Sequence, residues 1–293
     1  ILPDLVPAES LSAANGRVIG VQQVANNFLG APLAGALIVV GAGLGFGVAA
    51  GLAALAACAL AFGVRGNFRK TTEASERGAR AGLSQVREGL SYLIHHPVMR
   101  PLTITSGVLN MASTAYFAVF VLWAVGPESA AKLTESQYPL IMIGFAAGAV
   151  AGSMLADRAQ RRFGEVPAML FTLVVNVVLN LVPIIWPNGW VFAGLLFVMG
   201  LLNTIGNVIL MSLRQRLVPR ELLGRVGGAS RTLAYGLMPV GALLGGVVGQ
   251  QWGLVATFVG SVVVSLAACA YLAFTVRPAT VAAMERSEPT TEA

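Results

Sequence analysis

The sequence predicts an all-α, polytopic membrane protein, and three observations carry that prediction. Residues are 56% hydrophobic and 11% charged, less than half the roughly 25% charged content of a soluble domain, so too little charge is present to cover a water-facing surface. Eight continuous apolar runs of at least 21 residues punctuate the chain, each able to cross a hydrocarbon core about 30 Å thick as a helix. The cations between those runs fall almost entirely on one side.

The runs are 18–40, 44–64, 101–125, 136–156, 166–186, 189–213, 229–250 and 252–276. None shows the period-two alternation of a membrane barrel strand. Alternate gaps, beginning with the segment before the first run and including 65–100, 157–165, 214–231 and the tail, hold eighteen of the nineteen Lys and Arg. The intervening gaps hold only Lys132. Cytoplasmic loops collect Lys and Arg, so both ends of the chain are expected to be cytoplasmic. A missed or extra span would scramble this division.

The basic pI of about 9.9 does not point to nucleic acid, because the arginines are scattered through short loops and form no clustered face. Cys58 and Cys269 sit inside apolar runs and read as small packing residues. The chain starts at Ile1 with no methionine and no basic leader, and is expected to be part of a longer protein.

Three spans carry glycine at every fourth position: Gly43, Gly47 and Gly51; Gly144, Gly148 and Gly152; Gly241, Gly245 and Gly249. In lipid such stripes let helix backbones approach closely. They serve as fixed packing seams or, in the sharper reading, as surfaces that rock. Residues 65–98 form the longest polar stretch. Leu83, Val86, Leu90, Leu93 and Ile94 recur there at helical spacing, which predicts an amphipathic helix. Its arginines suit anionic headgroups. His95 and His96 read as exposed residues at its end.

A short phrase repeats. LVPAESL at 5–11 returns as LVPRELL at 217–223, and LAACALAFGVR at 55–65 returns as LAACAYLAFTVR at 266–277. Gly16 thereby pairs with Gly228 and Cys58 with Cys269. Six spans separate the two copies, an even number, so both have the same orientation. The repeat unit is a six-helix bundle, present whole at 99–277 and as its last two helices at 1–64, with 65–98 as linker and 278–293 as an unstructured cytoplasmic tail. Pro7 and Pro219 suit the first turn of a helix, and Glu9 and Glu221 complement its positive end.

Parallel six-helix halves joined by a basic linker resemble the major facilitator transporters. LVPxExL, REGLSYLIHHPVMR at 87–100 and RQRLVPRELLGRVGG at 214–228 are similar to the bacterial branch of enterobactin exporters, macrolide efflux proteins and transmembrane secretion effectors. The resemblance covers the family's fifth to twelfth helices. SMLADRAQRR at 153–162 resembles the family's cytoplasmic-loop signature, with Asp157, Arg158, Arg161 and Arg162 in place and Ser153 and Gln160 where it has glycines. It implies a charge latch that holds one face shut; the bland alternative is a solvated basic turn.

All thirteen acids lie outside the apolar runs, so these runs supply no intramembrane carboxylate as a proton carrier; proton drive, which the resemblance implies, would place the carrier in the family's first four helices, and facilitated diffusion is the alternative. The runs hold neutral polar side chains instead. An unpaired amide in hydrocarbon costs several kcal/mol, so these should face the bundle interior. By the resemblance the fifth run is peripheral, which implies that Asn176 and Asn180 are interhelical ties. By the resemblance, Gln23, Asn27, Asn110, Tyr116, Asn203, Asn207 and Tyr235 are candidates to line a central cavity; packing hydrogen bonds are the alternative.

The resemblance implies a monomeric secondary transporter in a bacterial inner membrane. It would export an amphipathic small molecule such as a drug, macrolide or siderophore, with protons as coupling ion. A non-transporting scaffold or sensor that keeps the fold is the alternative. No HExxH, CxxC, GxSxG or P-loop is present, so an enzyme, a cofactor or a bound metal is not expected.

Overall fold

The computed structural model describes residues 11–23, 25, 42–63, 79–126, 128–134, 137–219 and 221–287. Among these residues every element is helical apart from one isolated bridge between Val125 and Leu133. Five helical stretches are long and apolar enough to cross a membrane: Met99–Ala124, Glu165–Ile185, Gly189–Leu217, Leu223–Trp252 and Leu254–Thr275.

In chain order, α1 is Leu11–Gln23, α2 Ala42–Gly63 and α3 Ala79–His95. Then come α4 at Met99–Ala124, α5 at Gln137–Phe163, α6 at Glu165–Leu179 and the single turn α7 at Val182–Ile185. The chain continues with α8 at Gly189–Leu217, α9 at Leu223–Gly236, α10 at Met238–Trp252, α11 at Leu254–Thr275 and α12 at Pro278–Ser287.

Two expected spans are broken, and proline is the cause in each. The run at 166–186 turns at Asn180–Leu181 ahead of Pro183, and the run at 229–250 splits at Leu237 ahead of Pro239. Proline lacks the N–H that would bond four residues back, and its ring crowds that carbonyl. In contrast, the segment expected to be a loop signature is helix. α5 runs through Asp157 and the arginines to Phe163. Nothing in SMLADRAQRR breaks a helix, Arg161 and Arg162 complement the negative end of its dipole, and the stop comes at Gly164 with φ of 81°.

The tail is also helical where an unstructured segment was expected. α12 starts on Pro278, and Val281 is buried against the core. Pro219 begins a turn rather than a separate helix: its carbonyl accepts from the N–H groups of Leu222 and Leu223, and α9 starts at once.

Glycine places the helices. The stripe on α5 lies directly on α8: a Cβ on Gly144, Gly148 or Gly152 would stand 2.6, 1.8 or 2.4 Å from the carbonyl oxygens of Ala193, Phe197 and Leu201. The stripe on α10 meets α4 in the same way, with a Cβ on Gly241 or Gly245 set 2.1 or 2.4 Å from the carbonyls of Met111 and Ala115. Such spacing leaves no room for a side chain, so two of the three stripes are packing seams. On α2, by contrast, Gly47 and Gly51 have open space around them.

Two cores fill the bundle. At the end that carries the basic loops, aliphatic residues of α4, α6, α8 and α11 meet, among them Leu102, Met169, Ile209 and Leu272. At the other end Tyr116, Phe120, Trp123, Phe192 and Phe258 form an aromatic cluster, with centroids 4.4 Å apart for Tyr116–Phe258 and 4.6 Å for Phe120–Phe192. The amphipathic α3 spends part of its apolar face on protein: Leu93 is 2% exposed and Tyr92 donates from its hydroxyl to the Leu217 carbonyl at 3.0 Å. Glu88 of α3 pairs with Arg225 of α9.

Candidate functional site

At the basic end, α1 docks against α5 and α8. The local sequence ANGRVIG explains how. Gly16 and Gly20 lie four apart, one above the other on one helix face, and both rest on Ser153. A Cβ at Gly16 would be 2.5 Å from the Ser153 carbonyl oxygen, and one at Gly20 2.5 Å from its hydroxyl. The family signature places glycine at position 153; here the room is supplied by the facing helix. The Ser153 hydroxyl is itself satisfied, donating to the Val150 carbonyl at 2.7 Å.

Beside these glycines Asn15 is fully buried. Its amide donates to the Ser212 hydroxyl at 3.1 Å and to Gln215 Oε1 at 2.8 Å, while Gln215 Nε2 donates back to Asn15 Oδ1 at 3.4 Å. This neutral clasp ties α1 to α8. Sequence reasoning passed over Asn15, Ser212 and Gln215; the available signal was the Gly16–Gly20 pair directly after Asn15.

The predicted latch residues sit within the last two turns of α5. Asp157 pairs with Arg161 of its own helix at 3.0 Å, and Arg158 and Arg162 lie on the outer part of the same turn. The ion pair that joins neighbouring helices here is another one: Glu165, at the start of α6, pairs with Arg216 of α8 and also accepts from the Gln160 amide. Both partners are largely buried, at 17% and 20% side-chain exposure.

Of the cavity candidates, Asn27 lies outside the described residues and Gln23 closes α1. Asn110 is half-buried and donates to the Ala234 carbonyl at 3.0 Å. Tyr116 is 2% exposed, within the aromatic cluster, its hydroxyl donating to the Asn180 carbonyl at 3.2 Å. Asn203 and Asn207 are exposed on one face of α8, and Asn207 donates to both oxygens of Asn203 at 2.9 and 3.1 Å. Tyr235 is exposed on α9.

Asn110, Tyr116 and Asn203 converge with Asn176, Asn180 and Ser265 on one cavity of about 120 Å³. Asn207 and Tyr235 do not line it. Asn176 is an interhelical tie, donating to the Met199 carbonyl at 2.8 Å, and it is also part of this cavity wall.

His96 is not an exposed helix end. It is 9% exposed, and its Nδ1 accepts from the N–H groups of Val98 and Met99, at 3.1 Å each, so the ring caps α4. Burial pulls its pKa below the ordinary histidine value, partly offset by a hydrogen bond to the Leu217 carbonyl. Two donors on Nδ1 require the neutral ring there.

Helices paired through glycine seams, five of the helical stretches being long and apolar enough to cross a membrane, define a polytopic helical membrane protein. A family model described as Major Facilitator Superfamily matches residues 1–232 and again 108–292. The chain belongs to that superfamily. No curated protein and no solved structure matches it.

Proposed function

We propose that this chain is the last eight helices of a two-half secondary transporter that exports an amphipathic small molecule, with protons as coupling ion. One observation carries the reading: α1 of the first half meets α5 and α8 of the second through two glycines and a neutral clasp, with no covalent or charged tie among the described residues. A contact held by Asn15, Ser212 and Gln215 can open and re-form at small cost, since a hydrogen bond exchanged for water contributes only about 0.5–1.5 kcal/mol net.

The basic end is the cytoplasmic end in this reading, and α1 is docked on α5 and α8 there. Opening of this contact, with closure at the opposite end, exposes the inner face of α4, α8 and α9 to the cytoplasm by rigid rocking of the halves. By the duplication Gly228, repeat mate of Gly16 and surrounded by open space, is where the counterpart of α5 docks. The linker helix α3 travels with the second half, because Glu88, Leu93 and Tyr92 are fastened to it.

The test is accumulation of a panel of fluorescent amphipathic compounds in cells with and without the gene. Export lowers accumulation of at least one compound, and a protonophore removes the difference. Equal accumulation across the panel, with the protein present in the membrane, contradicts it.

A further inference from the structure

The cavity inside the second half has a chemical character of its own. Nine of its fourteen lining residues are polar and none is Asp, Glu, Lys, Arg or His. Ser113 and Asn203 are exposed at its mouth, while Tyr116, Thr172 and Ser265 form a buried floor. It therefore runs from the exposed inner face back between α4, α6, α8 and α11.

The orientation of its amides is fixed by their neighbours. Asn110, Asn176 and Asn180 each donate from Nδ2 to a backbone carbonyl, at 3.0, 2.8 and 2.9 Å. A carbonyl only accepts, so the amide atom facing it must be the nitrogen. Three side-chain carbonyl oxygens are left over at one small cavity, beside the serine hydroxyls. Acceptor oxygens in an uncharged polar wall favour an occupant that donates hydrogen bonds. A charged occupant finds no counter-charge on the walls and would lose its hydration uncompensated.

We infer that this cavity is a side pocket selective for an uncharged, hydrogen-bond-donating group of the cargo, an amide or an alcohol, and that it turns away ammonium and carboxylate groups. The inference rests on the transporter reading for the word cargo; the pocket's selectivity is tested apart from it.

The experiment uses the protein in membrane vesicles with Cys58 and Cys269 replaced by alanine. Cysteine is placed on the floor (S265C) or at the mouth (N203C). Each variant is treated with a neutral, a cationic and an anionic alkyl methanethiosulfonate, and rates at the floor are divided by those at the mouth. The neutral reagent should reach S265C at least about tenfold faster, on this scale, than either ion. Propionamide should slow that reaction and leave N203C unaffected, whereas propionate should slow neither.

Equal relative rates for the ions overturn the inference, as does a floor that no reagent reaches while the mouth reacts. Modification unaffected by propionamide also overturns it and leaves a chamber for water only. S261C, on the same wall, replaces S265C if that variant does not fold. No flux is measured, so a protein that exports nothing can still pass this test, and an exporter can still fail it.

Discussion

Substitution of Gly16 by alanine perturbs the contact between α1 and α5 at one defined atom. The added Cβ would lie 2.5 Å from the Ser153 carbonyl oxygen, where ordinary contact begins at 3.4 Å. The obstacle is backbone, so no rotamer change relieves it, and the helices must part by about 1 Å, a gap that forfeits a quarter to a half of the dispersion attraction across it. Overpacking of this kind costs about 1–3 kcal/mol. The cost falls on the docked arrangement and spares the separated one. At about 1.4 kcal/mol per factor of ten, the balance moves roughly 5- to 150-fold toward separation. The assay is the spin-label distance between R17C and M154C, both exposed sites beside the seam, in a background lacking Cys58 and Cys269. G16A should shift the distribution to longer distances by several ångströms. An unchanged distribution in a normally folded G16A protein refutes the reasoning that these glycines set the docked state.

N15A removes the clasp without adding bulk; the same label pair should move in the same direction, with an effect of about 1–3 kcal/mol from the polar partners left behind. G148A places a Cβ 1.8 Å from the Phe197 carbonyl, inside one helix bundle, and should lower the melting temperature and yield, whereas G260A, with open space around it, should leave both unchanged or raised; thermal scanning in detergent distinguishes them. E165Q breaks a largely buried pair and should destabilise more than E88Q, whose carboxylate is half exposed and whose pair contributes about 0–1 kcal/mol; equal melting shifts contradict this. His96 has a folded-state pKa below its unfolded value, so its contribution is complete above about pH 6.5 and is lost as pH falls toward and through the folded value. Melting temperature should therefore decline between pH 7 and 5, and H96A should be less stable at pH 7 and show a flatter profile.

The helices among the described residues were legible because hydrocarbon leaves a backbone few options: a long apolar run must satisfy its own hydrogen bonds as a helix; most of the run at 18–40 lies outside the described residues. The seams on α5 and α10 were legible for the same reason, since glycine every fourth residue serves close approach. Breaks at Leu237 and Asn180 were readable from Pro239 and Pro183, but an unbroken hydropathy run hides them. Pairing between distant segments could not be read. Asn15 meets Gln215 across 200 residues, and nothing in either neighbourhood names the other. His96 was misjudged because exposure at a helix end depends on which distant segment covers it, here Leu217 brought back over the ring. The α5 extension shows a further limit: a motif fixes which residues occur at 153–162, while the helix ends only where Gly164 permits. Tyr116 and Asn176 illustrate the last gap, as each serves packing and a cavity wall at once.

The transport reading needs a chain that crosses the membrane with its cationic segments together on one side. Single cysteines at Arg87, Arg161 and Arg225, and one at Glu128, tested in sealed vesicles with an impermeant thiol reagent, address this directly. The first three should label from one side of the membrane and Glu128 from the other. Labelling of Arg87 and Arg225 from opposite sides would contradict the duplicated architecture, and with it the docking of α1 on which alternating access depends.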